Sequence, residues 1–288
     1  MSTGREAFGA RLARAMDELG PLCVGIDPHR SLLEAWGLSD DAAGLREFSL
    51  RAVEAVAGRV AAVKPQSAFF ERHGSAGVAV LEETLAALRE AGTLSVLDVK
   101  RGDIGSTMSG YADAYLSDGS PLAADALTVS PYLGFGSLAP VLDLARETGR
   151  GVFVLGLTSN PEGRSVQHAT DPSGRSVAGG VVDGVTVANA AARADGTLGS
   201  VGLVVGATVG RAVHDLGLDL AASAAPLLAP GVGAQGAGAP ELEQVFGVAR
   251  RQVLASTSRD VLQAGPDVGA LRAAAETATG QAVAALRG

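Results

Sequence analysis

Short apolar runs recur along this chain, and each turns polar at its C-terminal end. They stand at 22–27 (LCVGID), 60–65 (VAAVKP), 94–100 (LSVLDVK), 126–130 (ALTVS), 151–158 (GVFVLGLT), 201–208 (VGLVVGAT), 226–232 (PLLAPGV) and 252–258 (QVLASTS). Between them lie helical patterns at 44–57, 76–91, 105–116, 137–148, 182–195 and 211–217, with a last one at 267–286. Strand–helix alternation builds parallel βαβ units. Eight such units in 288 residues predict an α/β fold, a closed (β/α)8 TIM barrel. An open doubly wound sheet is the alternative, but no G-x-G-x-x-G turn follows the first run. Residues 5–19 predict an extra N-terminal helix that closes the barrel bottom. The whole of 1–288 reads as a single barrel domain. The polar stretch 159–181 reads as a loop insertion after strand 5, of a length that is usually functional or mobile.

Composition narrows this picture. Apolar residues make up 47% and aromatics 4%, so the core must be aliphatic. A net charge of −8 argues against nucleic acid as the main partner. The lone cysteine, Cys23, excludes an internal disulfide and a cysteine zinc site. The N-terminus carries acids and no long apolar stretch, unlike a signal peptide. No charge-free apolar run of about 18 residues is present, so no membrane span is expected. The expected location is cytoplasmic.

The chemistry concentrates at the polar ends of the runs, where a parallel barrel carries its active site. Of 23 basic residues only Lys64 and Lys100 are lysine. An arginine-favouring sequence that keeps two lysines points to a need for an ammonium able to donate a proton, which guanidinium cannot do. Strand side chains alternate between faces. Val96, Asp98 and Lys100 therefore share one face, as do Cys23, Gly25 and Asp27; Ala62 and Lys64; Thr128 and Ser130; and Ser256 and Ser258. In Asp98-x-Lys100-x-x-Asp103, Asp98 and Lys100 point into one cavity and Asp103 opens the next helix. Lys64 lies one strand away, about 5 Å in the pairing direction. Opposite charges that close keep each other ionised, and stability alone explains such a buried network weakly.

A second cluster is PGVGAQG, from Pro230 to Gly236, followed by Ser258 and Arg259 after the eighth run. Barrels often hold phosphate on the loops after strands 7 and 8. Glycines admit an anion close to backbone amides, Gln235 adds a donor, and Arg259 offers a fork matched to phosphate oxygens. The stretch 233–243 reads as a lid. The histidines at 29, 73, 168 and 214 have no metal-ligand spacing.

Together LCVGIDPH, AVKPQSAFFE, LDVKRGDIGSTM, LTVSPYLG and LAPGVGAQG resemble the orotidine 5′-phosphate decarboxylase family, in particular its longer bacterial group. The resemblance runs from the first strand to the eighth. It implies a homodimeric barrel that decarboxylates orotidine monophosphate to UMP, the last step of de novo pyrimidine synthesis, with no cofactor and no metal. It implies that Lys64, Asp98 and Lys100 form the charged array, with Asp103 supplied by the partner subunit. Asp27 would bind ribose hydroxyls beside the partner's Thr107, Ser130 would contact the pyrimidine, Pro230 and Gln235 would belong to the phosphate lid, and Arg259 would hold the phosphate. One departure stands out: some members carry glycine before that arginine, where this chain has Ser258.

On that reading Lys100 meets the carbanion left at C6 and protonates it. Two other functions fit the same scaffold: a metal-dependent keto-sugar-phosphate decarboxylase or aldolase, and a non-catalytic nucleotide-binding module. Fold alone does not choose among them.

Overall fold

The computed structural model describes residues 4–233 and 237–288. All eight apolar runs form strands: β1 (Leu22–Ile26), β2 (Ala62–Pro65), β3 (Leu94–Arg101), β4 (Ala126–Val129), β5 (Gly151–Leu157), β6 (Val201–Val205), β7 (Leu227–Pro230) and β8 (Val253–Thr257). They pair in parallel in sequence order, and β8 closes on β1 through Leu22↔Ala255 and Val24↔Thr257. The fold is the expected (β/α)8 barrel.

Alternation sorts each strand into two cores. Outward residues such as Val24, Val63, Leu127, Val154, Leu203 and Leu227 meet the surrounding helices in the larger cluster. Inward residues Cys23, Ala62, Val96, Ala126, Phe153 and Leu254 fill the lumen. The N-terminal helix α1 (Phe8–Leu19) adds Phe8, Leu12 and Met16 to that inner cluster. Phe8 meets Phe153 edge to face at 6.0 Å. A Cβ at Gly151 would lie 2.2 Å from the Phe8 ring, so glycine there makes room for the plug.

The outer helices differ from the sequence pattern mainly at their starts. The segment after β5 is more ordered than a polar insertion. It makes a turn at Pro161–Gly163, a short helix at Arg164–Gln167 and an antiparallel bridge between Thr170 and Ser176. Gln167 ties it back to the strand end, accepting from Thr158 N at 2.9 Å and donating to Thr158 Oγ1 at 2.7 Å. The next helix starts at Val177 rather than 182, because Ser176 Oγ accepts from Gly179 N at 3.0 Å and caps it. Part of the expected lid, from Ala239 onward, is likewise helical.

Candidate active site

The strand ends open on a cavity of about 500 Å³. Leu155, Val204 and Leu228 give it an apolar wall, and Asp27, Lys64, Asp98 and Lys100, with the uncharged Gln66 and Thr128, a polar one. Thr158, Ser159 and Asn160 line it from the end of β5, and Pro230, Ser258 and Arg259 from β7 and β8.

Asp98 is the hub. Its Oδ2 accepts from Lys64 Nζ at 3.1 Å and Gln66 Nε2 at 3.0 Å, and its Oδ1 from Lys100 Nζ at 2.6 Å and Thr128 Oγ1 at 2.8 Å. Alternation alone brings Asp98 to the lumen, but it does not aim Lys100. The pairing of β3 with β4 shifts register between Leu97 and Arg101, and Lys100 takes φ 46°. That left-handed backbone costs a non-glycine residue about 1–2 kcal/mol. Thr128 helps to hold it: its Oγ1 accepts from Lys100 N at 2.9 Å while donating to Asp98. The direction is fixed, since an amide N–H only donates and a carboxylate only accepts.

These contacts set the charges. Burial pushes the Asp98 carboxyl up, but Lys64, Lys100 and the hydrogen bonds outweigh it and bring it down to about 2. Burial likewise opposes the Lys64 ammonium, and the facing Asp27 and Asp98 carboxylates overcome it, holding Lys64 above its ordinary value. Beneath them burial drives the Cys23 thiol up to about 12, so it stays protonated and inert.

Asp27 is only half satisfied. Its Oδ2 accepts from Ser258 Oγ at 2.5 Å. Its Oδ1 is buried without a hydrogen-bond partner, 3.9 Å from Lys64 Nζ. Leaving such an acceptor unpaired costs about 1–3 kcal/mol, which a ligand hydroxyl would relieve. At the rim Arg259 is exposed beside Pro230 and Gly231.

The cavity thus gathers Asp27, Lys64, Asp98, Lys100, Pro230 and Arg259 from the sequence set. It does not gather Asp103, Thr107 or Ser130 of the same chain. Asp103 turns its Oδ1 back onto Ile104 N at 2.8 Å, and Thr107 lies exposed in the first turn of the next helix. Ser130, expected at the lumen, is not among the residues lining this cavity: β4 ends at Val129, so the alternation that places Thr128 inward stops short of it. Ser130 instead donates its N–H to Arg101 O at 2.8 Å and packs against Gly102. Gln235 lies outside the described residues. Sequence reasoning passed over Gln66, Thr158, Ser159 and Asn160. The last three stand where the fifth run turns polar, the same signal that exposed Lys64 and Lys100.

Comparison with known proteins agrees with this fold. The family model for orotidine 5′-phosphate decarboxylase / HUMPS matches residues 20–274. An orotidine 5′-phosphate decarboxylase of Salinispora arenicola is 61% identical over 98% of this chain and 99% of its own. A solved structure from Streptomyces avermitilis, assigned to the same enzyme, superposes with a TM-score of 0.94 at 57% identity, covering 100% of this chain and 99% of its own. The structure of Leishmania donovani OMP decarboxylase superposes with a TM-score of 0.74 at 30% identity, over 98% of this chain and 99% of its own. With its ionised lysine–aspartate array at the mouth of an eight-stranded barrel, the chain belongs to the orotidine 5′-phosphate decarboxylase family.

Proposed function

We propose that this chain, acting as one barrel domain, decarboxylates orotidine 5′-monophosphate to UMP without metal or cofactor, and that Lys100 is the proton donor. The observation that carries the reading is the Lys64–Asp98–Lys100 array, with an ammonium on each side of one buried carboxylate. Arg259 at the rim suits the 5′-phosphate, and the unpaired Asp27 Oδ1 suits a ribose hydroxyl. Ser159 and Asn160 on the opposite side offer partners for the pyrimidine amide. The C6 carboxylate then meets Asp98 and Lys100.

The C6–carboxylate bond breaks with its electron pair left on C6, and CO2 departs as a neutral molecule beside the apolar wall. Lys100 stabilises the developing carbanion and transfers an Nζ proton to C6, giving UMP and a neutral amine that solvent reprotonates. Lys64 and Thr128 keep Asp98 ionised and fixed throughout.

The same reading makes the enzyme a two-fold dimer in which Asp103 and Thr107 serve the other copy's cavity. Supporting this, Ile104, Tyr132 and Leu133 are 62%, 77% and 53% exposed on the loops after β3 and β4, and these loops meet where Gly102 packs on Ser130. Among the described residues no helix is long and apolar enough to cross a membrane; a cytoplasmic location belongs to this reading.

The test is the loss of orotidine monophosphate absorbance after exhaustive dialysis against EDTA. Full activity is expected, with at least about four decades lost in Lys100→Ala and in Lys100→Arg, or about 5 kcal/mol of transition-state stabilisation. Activity that vanishes with EDTA and returns with Mg2+ would favour the metal-dependent sugar-phosphate enzyme. UMP binding without turnover would favour the non-catalytic module.

A further inference from the structure

We infer that Ser258 is a positioning residue that fixes how Asp27 presents its carboxylate to the ligand, and that it thereby sets how strongly the enzyme discriminates for the ribose hydroxyl that Asp27 holds. This rests on Asp27 being the ribose ligand.

Two carboxylate oxygens of Asp27 have unequal surroundings, and Ser258 is the cause. Because a carboxylate only accepts, the Ser258 hydroxyl must donate its proton to Oδ2, and the 2.5 Å separation is that of a charge-assisted bond. That leaves Oδ1 as the oxygen without a hydrogen-bond donor, buried and facing Lys64 at 3.9 Å. The distance is long for an ion pair. Without the serine, no other hydrogen bond among the described residues holds Asp27 from the β8 side, so its carboxylate can swing onto the Lys64 ammonium. A ligand hydroxyl would then compete with an ion pair for the oxygen it needs. Ser258 holds Asp27 out of hydrogen-bond reach of Lys64, 3.9 Å away, and keeps Oδ1 open to a ligand donor.

Neighbouring β1 is cut to fit this hydroxyl. A Cβ at Gly25 would lie 2.0 Å from Ser258 Oγ and 3.3 Å from Asp27 Oδ2. The backbone of Gly25 is not left-handed, so space rather than conformation requires glycine there. Gly25, Asp27 and Ser258 form one unit across the β1–β8 seam, and the clearance for this serine is built into the facing strand.

The test compares orotidine monophosphate with its 2′-deoxy and 3′-deoxy analogues. In Ser258→Ala, kcat/KM for orotidine monophosphate should fall about tenfold, the scale of one hydrogen bond to a charged group. For the analogue that lacks the hydroxyl held by Asp27, the same substitution should cost less than about twofold, because the interaction it protects is already gone. Ratios between substrates on one preparation do not depend on the fraction of folded enzyme. An equal loss on all three substrates overturns the role of Ser258. Asp27→Asn separates the underlying reading: if its penalty is also equal on all three, Asp27 is not the ribose ligand and the inference falls with it. If Asp27→Asn discriminates and Ser258→Ala does not, only the positioning role falls.

Discussion

Replacing Thr128 with valine should slow the chemical step while leaving substrate binding nearly intact. Valine keeps the shape of the side chain but lacks its hydroxyl, and Thr128 is 1% exposed, so no water replaces it easily. Two bonds disappear together. Lys100 N loses its acceptor at 2.9 Å, and Asp98 Oδ1 loses one of its two donors. The first releases a restraint on a left-handed backbone that costs about 1–2 kcal/mol to hold, and the second is worth about 1.5–3 kcal/mol as a bond to a charged group. With the lysine no longer pinned, about 2–3 kcal/mol of transition-state stabilisation should be lost, or roughly 30- to 150-fold in kcat. KM should change little, since Thr128 lies away from the phosphate rim. Initial rates from substrate absorbance measure both constants, and Thr128→Ser should recover most of kcat. A valine variant with kcat within threefold of the parent but a lower Tm would refute the reasoning, because Thr128 would then act only as a core residue. A serine variant as slow as the valine one would do so equally.

Arg259→Ala should weaken turnover of the phosphorylated substrate and barely alter the slow turnover of the phosphate-free nucleoside; equal losses would place Arg259 outside the phosphate site. Mixing Asp98→Ala with Asp103→Ala chains should rescue activity, because in a mixed two-fold dimer one site is intact, about a quarter of all sites after random exchange. Native mass spectrometry checks the exchange, and mixed dimers that stay dead would return Asp103 to its own chain. Asp98 also predicts an acid limb in stability. Its folded value of about 2 lies below the ordinary 3.8, so its contribution is present above about pH 4 and is lost as pH falls toward 2. Urea midpoints should therefore decline more steeply across that window in the parent than in Asp98→Asn, and parallel declines would count against the assigned coupling.

The barrel was legible because its evidence repeats: eight runs, each apolar and then polar, leave few architectures open. Lys64 and Asp98 were legible for the same reason, since each lies at the polar end of a run on the inward face, and Lys100 was legible as the end of its run though not in its direction. What failed lies just beyond a strand end or in a change of register. Ser130 sits one residue past β4, where alternation no longer decides direction. The turn of Lys100 into the left-handed region follows from a register shift between two strands, which no single strand's pattern contains. Ser159 and Asn160 are hidden when 159–181 is read as an insertion, although its first residues still belong to the cavity wall, and Thr158 is the polar end of the fifth run itself. Asp103 and Thr107 show the opposite limit: their motif is plain, yet their own chain does not carry them to its cavity.

The helix lodged under the barrel makes the lumen a blind well. Phe8, Leu12 and Met16 stop its lower end, and Phe153 and Leu254 fill the column above them. No proton reaches Lys100 from below. The lysine side chain is 46% exposed, and on the proposed function the nucleotide occupies the mouth of that well. If Lys100 is the proton donor, as proposed, a spent amine must wait for its nucleotide to move aside before solvent can recharge it. On that proposal one doorway orders the cycle: carbon dioxide and nucleotide leave first, the proton enters next, and a fresh substrate meets a lysine already restored.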